Sequence, residues 1–185
     1  MRITGGKARG IQLKTLQRQS LRPTTDLVRE AIFSILENMT ANWERIADLY
    51  AGTGALGIEA LSRDARWVDF VEQSKKCCDL IKYNLEKTGT RDRAHVYCCS
   101  VNRAITFLDS NYDIIFLDPP YSLSTLDSVL TGIAGSGLIG ADSIVVLCHT
   151  KRFSPGPIYD KLHLTKQFQY GDTFISTFQG GKSWQ

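Results

Sequence analysis

From residue 45 onward the chain alternates short apolar segments with longer amphipathic ones, and this alternation restricts the fold more than any other feature. Residues 114–117 (Ile-Ile-Phe-Leu) and 144–147 (Ile-Val-Val-Leu) are uninterrupted apolar runs. Strands of this kind are buried on both faces, as in a parallel sheet covered by helices. The pattern predicts strands at 46–50, 67–71, 94–98, 113–117 and 143–148, with helices at about 55–63, 74–87, 101–109 and 125–135.

The two ends of the chain add antiparallel elements to this prediction. After Pro155 and Pro157, strands at about 158–168 and 173–179 are joined by Tyr170-Gly-Asp, which is typical of a hairpin turn. Residues 2–4 and 10–14 read as two short strands around a Gly-Gly-Lys-Ala-Arg turn. We therefore predict an α/β, doubly wound, mostly parallel seven-stranded sheet, with an antiparallel hairpin at the C-terminal end and a small hairpin extension at the N-terminal end.

A helix is predicted between the N-terminal hairpin and the first strand. Arg22-Pro23 ends the hairpin segment, and Thr24 or Thr25 can cap the helix that follows. Its apolar positions have the helical period: Val28, Ala31, Ile32, Ile35, Leu36 and Met39. We expect residues 1–20 to form a basic extension and residues 21–185 to form the main domain.

The composition is that of an ordinary folded protein, with 43% hydrophobic and 22% charged residues, which argues against disorder. No apolar run approaches the ~20 residues that span a bilayer, and the first residues do not form a signal peptide. The five cysteines show no Cys-x-x-Cys spacing, so we expect free thiols and no metal site. A cytoplasmic protein that does not bind membranes is the expectation.

The charge is unevenly distributed along the chain. Residues 1–25 contain six basic and no acidic residues, and residues 151–185 contain five basic and two acidic residues. The segment 26–150, by contrast, has 11 basic and 17 acidic residues. Two basic ends on an acidic centre indicate a surface for a polyanion such as nucleic acid.

Three motifs fall at predicted strand ends, where sheets of this class bind ligands. The first, Asp48-Leu-Tyr-Ala-Gly-Thr-Gly-Ala-Leu-Gly57, closes the first strand and opens a helix. Its glycines allow a sharp turn and a close approach to a ligand, and by themselves they also fit a dinucleotide site. Asp48 favours a cationic amino-acid group over a pyrophosphate, which a carboxylate would repel.

The second motif is Phe70-Val71-Glu72, where an acid ends the second strand 20 residues after Gly52. A carboxylate at this position accepts hydrogen bonds from both hydroxyls of a ribose. Sites for NAD and sites for S-adenosylmethionine share this feature, so it does not choose between them.

The third motif, Asp118-Pro119-Pro120-Tyr121, follows an apolar strand and favours one cofactor. Neither proline has an N–H, so the Asp118 carboxylate and the Pro119 carbonyl present only acceptors. That arrangement suits an exocyclic amino group, and the Tyr121 ring can stack on its base. The motif has no role in a dinucleotide-dependent reductase.

Taken together, these residues resemble amino-group methyltransferases that use S-adenosylmethionine, and more narrowly the bacterial 16S rRNA (guanine-N2)-methyltransferases of the RsmD type. The resemblance covers nearly the full length of the chain. Its matching segments are residues 1–10, 21–33, 48–65, 70–72, 118–121 and 170–173.

The resemblance implies a Rossmann-like methyltransferase fold and a role for each motif. The amino group would meet Asp118, Pro119, Pro120 and Tyr121. The cofactor would bind at Asp48, Ala51, Gly52, Thr53, Gly54, Glu72 and Ser100, where Ser100 stands in place of the acid that the family usually has near the adenine. The substrate, 16S rRNA or the small ribosomal subunit, would contact Arg2, Lys7, Arg9, Lys14, Arg22 and Arg29. We expect a monomer, and a structural rather than catalytic role for His149.

Two alternatives stay open on the sequence. The motif at 118–121 recognises an amino group and not its carrier, so the substrate could be a DNA adenine or a protein amide. From another class, the chain could be a dinucleotide-dependent reductase or a nucleotide-binding module without catalysis.

Overall fold

The computed structural model describes residues 1–16, 25–40, 42–120 and 125–181. Within them, helices and strands alternate from residue 45 as the apolar pattern predicts. The helices are α1 (Asp26–Glu37), α2 (Ala55–Ser62), α3 (Lys75–Lys87), α4 (Val101–Phe107) and α5 (Leu126–Ala134). The strands are β1 (Arg45–Leu49), β2 (Trp67–Glu72), β3 (Ala94–Cys98), β4 (Ile114–Leu117), β5 (Ile144–His149), β6 (Ile158–Tyr159), β7 (Leu162–Tyr170) and β8 (Thr173–Gly180).

The strands form one sheet in the order β3-β2-β1-β4-β5-β8-β7-β6. The first five are parallel and the last three antiparallel, which confirms the predicted fold class. The described residues form eight strands rather than the predicted seven. The segment 158–168 is divided at a turn where Asp160 has a φ of 51°.

Apolar layers cover both faces of the sheet. Ile46, Phe70, Ile114 and Phe116 belong to one buried cluster, together with residues of α1, α2 and α3. The alternate strand positions belong to a second cluster, together with residues of α4 and α5. Burial on both faces is the physical reason why these strands read as continuous apolar runs. No helix among the described residues has the length and apolar character needed to cross a membrane.

The N-terminal segment forms the predicted hairpin in a short version, with backbone hydrogen bonds of 3.0 Å from the Ile3 N–H to the Ile11 carbonyl and from the Leu13 N–H to the Met1 carbonyl. A single bridge joins Arg2 to Gln12, and the reversal takes place at Gly6, which has a φ of 73°. Ile3, Ala8 and Leu13 are buried in the same cluster as α1 and α2. The segment therefore packs as part of the main core.

Helix α1 begins where the sequence indicates. Thr25 is its N-cap, and the threonine hydroxyl accepts a hydrogen bond from the Val28 N–H at 3.3 Å. The helix ends at Glu37, so Met39 lies beyond its end, although the side chain still packs against the core. Thr24 lies outside the described residues.

Gly57 allows α2 to pack directly against the sheet. A Cβ atom at this position would lie 2.3 Å from the Phe70 ring and 2.9 Å from a Val68 methyl group. Phe70 is fully buried, so its ring cannot move aside without disturbing the core. Only glycine permits this helix-to-sheet distance, which in turn fixes the position of the loop before α2.

We predict that Gly57→Ala lowers the free energy of unfolding by about 1–3 kcal/mol, because the added methyl group overpacks the Phe70 contact. Urea denaturation followed by circular dichroism measures the effect. Gly137→Ala is the matched control, since a Cβ at Gly137 meets no atom within 4 Å. Equal stability of the two variants would contradict this account of the packing.

Candidate cofactor and substrate site

The candidate site lies where the order of the strands reverses, between β1 and β4. At such a point, the loops that follow the two neighbouring strands lead to opposite faces of the sheet. A crevice therefore lies between the loops at the carboxyl ends of the strands. The predicted site residues lie at the carboxyl ends of four strands: 51–54 after β1, Glu72 at the end of β2, Ser100 after β3 and 118–120 after β4. The fold therefore brings together motifs that are far apart in the sequence.

The loop after β1 has a left-handed backbone at three positions: Tyr50, Gly52 and Gly54, with φ values of 64°, 55° and 78°. The Gly52 N–H donates to Glu72 Oε2 at 3.0 Å, and the Gly54 N–H donates to the Ala51 carbonyl at 2.7 Å. A Cβ at Gly52 would come no closer than 3.9 Å to another atom. The loop is thus tightly folded, and open space lies beside Gly52 for a ligand.

Asp48 is buried beneath this loop, with 1% of its surface exposed. Its Oδ2 accepts a hydrogen bond from the Gly57 N–H at 2.9 Å, which lowers the pKa of the carboxyl. Burial has the opposite and larger effect, and the nearby carboxylates of Asp118 and Glu72 raise the pKa further, so that it lies well above 3.8. The charges of two other strand-end acids therefore act on Asp48, and a cation bound beside Asp48 would offset that repulsion.

Glu72 has room to bind two hydroxyls while it supports the backbone. Oε2 accepts from the Gly52 N–H, and Oε1 accepts from the Ser74 N–H at 2.8 Å. Each carboxylate oxygen retains a second lone pair for a further donor. A cationic group near Asp48 and a diol near Glu72 are both present in S-adenosylmethionine, so the residues fit that cofactor.

The structure describes three of the four residues of the motif after β4. Asp118 is half-buried, Pro119 is buried and Pro120 is exposed. Tyr121 lies outside the described residues. The pair of prolines supplies carbonyl acceptors and no N–H donor next to the three acids.

Ser100 follows β3, whose last residue, Cys98, is the register partner of Glu72. The exposed serine caps α4, because its hydroxyl accepts from the Arg103 N–H at 3.3 Å. One lone pair of the hydroxyl oxygen is left for another donor. An adenine contact at Ser100 stays a prediction.

Four of the six predicted RNA-binding residues lie exposed on the N-terminal segment: Arg2, Lys7, Arg9 and Lys14. Lys7 forms an ion pair with Asp64 at 2.5 Å. Arg22 lies outside the described residues.

The prediction that Arg29 contacts RNA is wrong. Its side chain is fully buried, with Nε 3.2 Å from Glu59 Oε2 and Nη2 bonded to the Arg2 carbonyl oxygen. A guanidinium enclosed in this way cannot reach a phosphate. The burial follows from the position of Arg29, three residues before Ile32 on the apolar stripe of α1.

His149 has the structural role that the sequence favours. Its Nε2 lies 2.7 Å from the Ser176 hydroxyl, and its ring is in contact with Phe153 and Phe174. Burial lowers the pKa of the imidazole below its ordinary value of 6.5. The other ring nitrogen, Nδ1, lies 3.0 Å from the Thr150 carbonyl oxygen, so both nitrogens have partners within the protein.

Sequence reasoning missed Asn84, a fully buried polar residue on α3 that hydrogen-bonds to the carbonyl oxygen of Thr53. The available signal was an amide on the apolar stripe of that helix, beside Ile81 and Leu85.

All five cysteines are free, as predicted. In the part of the chain that the structure describes, no group of three His, Cys, Asp or Glu side chains could hold a metal ion.

We predict that Asp48→Asn stabilises the ligand-free protein by about 1 kcal/mol, equivalent to about 2–4 °C in Tm, but weakens binding of S-adenosylhomocysteine at least about tenfold. The amide oxygen can still accept from Gly57, while the cost of a buried charge disappears. Because the carboxyl is protonated in both states at low pH, the stability gain should shrink as the pH falls toward 4.

Thermal unfolding across pH and calorimetric binding check this prediction. Asp142→Asn is the control, because Asp142 is exposed. An Asp48→Asn protein that is less stable and binds the ligand normally would show that Asp48 is a structural residue only.

Comparisons with known proteins find relatives that match nearly the whole chain. The family model described as Conserved hypothetical protein 95 matches residues 1–179. The Bacillus subtilis protein YlbH is 33% identical over 97% of this chain and 98% of its own length. Ribosomal RNA small subunit methyltransferase D of Escherichia coli K12 is 30% identical over 78% of this chain and 72% of its own length.

Among solved structures, the Escherichia coli protein yhhF superposes with a TM-score of 0.86 over 97% of each chain, at 24% identity. At this identity the likeness concerns the fold alone. The match of the family model over nearly the whole chain and the identity to YlbH show that this protein is a member of the Conserved hypothetical protein 95 family, the RsmD family of methyltransferases.

Proposed function

We propose that the protein transfers a methyl group from S-adenosylmethionine to the exocyclic N2 amino group of a guanine in 16S rRNA. The observation that carries the proposal is the placement of Asp48, Glu72 and Asp118 at the carboxyl ends of three neighbouring strands, β1, β2 and β4. This arrangement suits a cationic cofactor beside an amino-group substrate. Relatives named ribosomal RNA small subunit methyltransferase D support RNA of the small subunit as the substrate.

S-adenosylmethionine supplies an activated methyl group on a positively charged sulfur. The residues of the chain bind and orient it: Glu72 accepts from the ribose hydroxyls, Asp48 offsets positive charge, and Gly52 leaves space for close approach. Ala51, Thr53 and Gly54 complete the loop, and Ser100 accepts from the adenine amine. With the leaving group already activated, most of the remaining barrier is lowered by alignment of the two reactants.

The amino group of guanine is a poor nucleophile because its lone pair is delocalised into the ring. Hydrogen bonds from its two N–H groups to the Asp118 carboxylate and the Pro119 carbonyl favour a pyramidal nitrogen with an available lone pair. The same acceptors stabilise the positive charge that develops on nitrogen during transfer. The cofactor leaves as neutral S-adenosylhomocysteine, and the methylated nitrogen loses one proton to solvent. Pro120 fixes the backbone of this segment, and Tyr121 stacks on the base.

The basic N-terminal segment, residues 1–20, binds the RNA backbone in this proposal. Its Arg2, Lys7, Arg9 and Lys14 contact phosphates, as does Arg22 just after the segment, which positions the RNA without reading its sequence. The target guanine leaves its stack in order to reach Asp118, as in other enzymes that act on a base.

Transfer of a labelled methyl group to small ribosomal subunits that lack the modification tests the proposal, with naked rRNA, DNA and a protein extract in parallel. We expect label in small-subunit RNA, recovered as N2-methylguanosine. Asp118→Ala should lower kcat by at least about a hundredfold while the Kd for S-adenosylhomocysteine changes less than about threefold. Label found only in DNA or protein would overturn the substrate, and an equal loss of turnover and cofactor affinity would overturn the role of Asp118.

The role of the N-terminal segment needs a test that leaves the core intact, because Ile3, Ala8 and Leu13 are buried. We predict that the double variant Arg2→Glu, Arg9→Glu raises the KM for RNA at least about tenfold and flattens its salt dependence, without changing affinity for S-adenosylhomocysteine. Reversing the charge at two exposed phosphate contacts accounts for both effects.

The matched control is the double variant Arg66→Glu, Arg91→Glu, which changes the charge equally at exposed positions just before β2 and β3. Neither residue belongs to the N-terminal segment to which the proposal assigns RNA binding. If both double variants raise KM equally, net charge rather than this surface governs RNA binding.

A further inference from the structure

Asn84 is a fully buried side chain that connects two regions of the candidate site. Its Oδ1 accepts from the Lys14 N–H at 2.9 Å, and its Nδ2 donates to the Lys14 carbonyl at 3.1 Å. The amide thus pairs with Lys14 on both backbone groups, as a neighbouring strand would. The same Nδ2 donates to the Thr53 carbonyl at 3.1 Å, inside the loop after β1.

In the loop after β1, Asn84 and Glu72 each bind one backbone group. Glu72 holds the Gly52 N–H and Asn84 holds the Thr53 carbonyl, so adjacent residues of the turn are fixed from two different elements. The sulfur of Met1 lies 3.6 Å from the Thr53 hydroxyl, a second contact between the N-terminal segment and this loop.

On the N-terminal side, Asn84 fixes a segment that carries exposed positive charge. The Lys14 ammonium lies 4.9 Å from the centre of the Tyr83 ring, and Lys87 donates to the Gln12 carbonyl at 2.6 Å. Leu13 already anchors the segment in the core. The segment would therefore stay attached without Asn84, and what Asn84 adds is the connection to Thr53.

We propose that Asn84 is a positioning residue that couples RNA binding by the N-terminal segment, which carries Lys14, to cofactor binding by the Gly52–Gly54 loop. The RNA-binding part of this inference rests on the proposed function. If either region moves away, the buried amide loses partners that it cannot replace with water, so order in one region favours order in the other. Coupling is reciprocal: each ligand raises the affinity for the other by the same factor, for which we expect about five- to tenfold.

The first test uses S-adenosylhomocysteine alone and measures hydrogen–deuterium exchange. In the wild-type protein, the ligand should slow exchange in peptides covering residues 10–16 as well as 50–57. In Asn84→Ala, it should still slow exchange at 50–57 but no longer at 10–16. A wild-type protein that binds the ligand without any change at 10–16 would overturn the coupling, and that result needs no variant to fold.

Ser62→Ala is the matched control. The Ser62 hydroxyl accepts from the Ala8 N–H and donates to the Gly5 carbonyl, so it ties the same N-terminal segment to α2 without touching the cofactor loop. A merely structural role for Asn84 predicts that both variants lower Tm and behave alike in exchange. The coupling predicts that only Asn84→Ala loses protection at 10–16.

The second test adds unmethylated small ribosomal subunits and measures the Kd of labelled S-adenosylhomocysteine by filter binding. Subunits should lower this Kd about five- to tenfold for the wild type and for Ser62→Ala, and leave it unchanged for Asn84→Ala. An equal decrease in Asn84→Ala would overturn the coupling. Subunits that do not bind, together with ligand protection at 10–16, would overturn the proposed RNA substrate and leave the connection through Asn84 supported.

Discussion

The carboxylate of Glu59, in the middle of α2, has no exposure to solvent and joins three parts of the chain. It accepts from the N–H groups of Thr4 and Gly5 and from the Thr4 hydroxyl, and it pairs with the guanidinium groups of Arg29 and Arg63. A buried charge is costly unless its partners surround it. The N-terminal segment, α1 and α2 must therefore all be in place before any one of them is stable in this position.

This constraint extends to the candidate site through α2, whose first turn follows the loop that we assign to the cofactor. Gly57 sets the distance of the helix from the sheet, its N–H binds Asp48, and Asn84 fixes Thr53 from the side. In the ligand-free protein, burial and the neighbouring charges of Asp118 and Glu72 raise the pKa of Asp48, so the charged form of this carboxyl opposes folding. A cation bound beside Asp48 would offset that cost.

The sequence did not predict the burial of polar residues that lie on the apolar faces of helices. A charge count treats Arg29 as part of a basic surface, yet it lies on the buried face of α1 and pairs with Glu59. Asn84 on α3 went unnoticed for the same reason. In both cases the helical period places the side chain inside, but its partner is far away in the chain, and no local pattern reveals which distant group will satisfy it.

The sequence by itself determined the alternation of strands and helices, the parallel sheet and the positions of the strand-end motifs. These features are predictable because strands buried on both faces consist of consecutive apolar residues, which the sequence shows directly. It also indicated the antiparallel C-terminal hairpin through Tyr170-Gly171-Asp172. Only the tertiary structure decided that the N-terminal segment shares the main core, that Arg29 is buried and that Asn84 joins Lys14 to Thr53. Those outcomes depend on hydrogen bonds between residues 30 to 70 positions apart, which exist only after the sheet has brought its layers together.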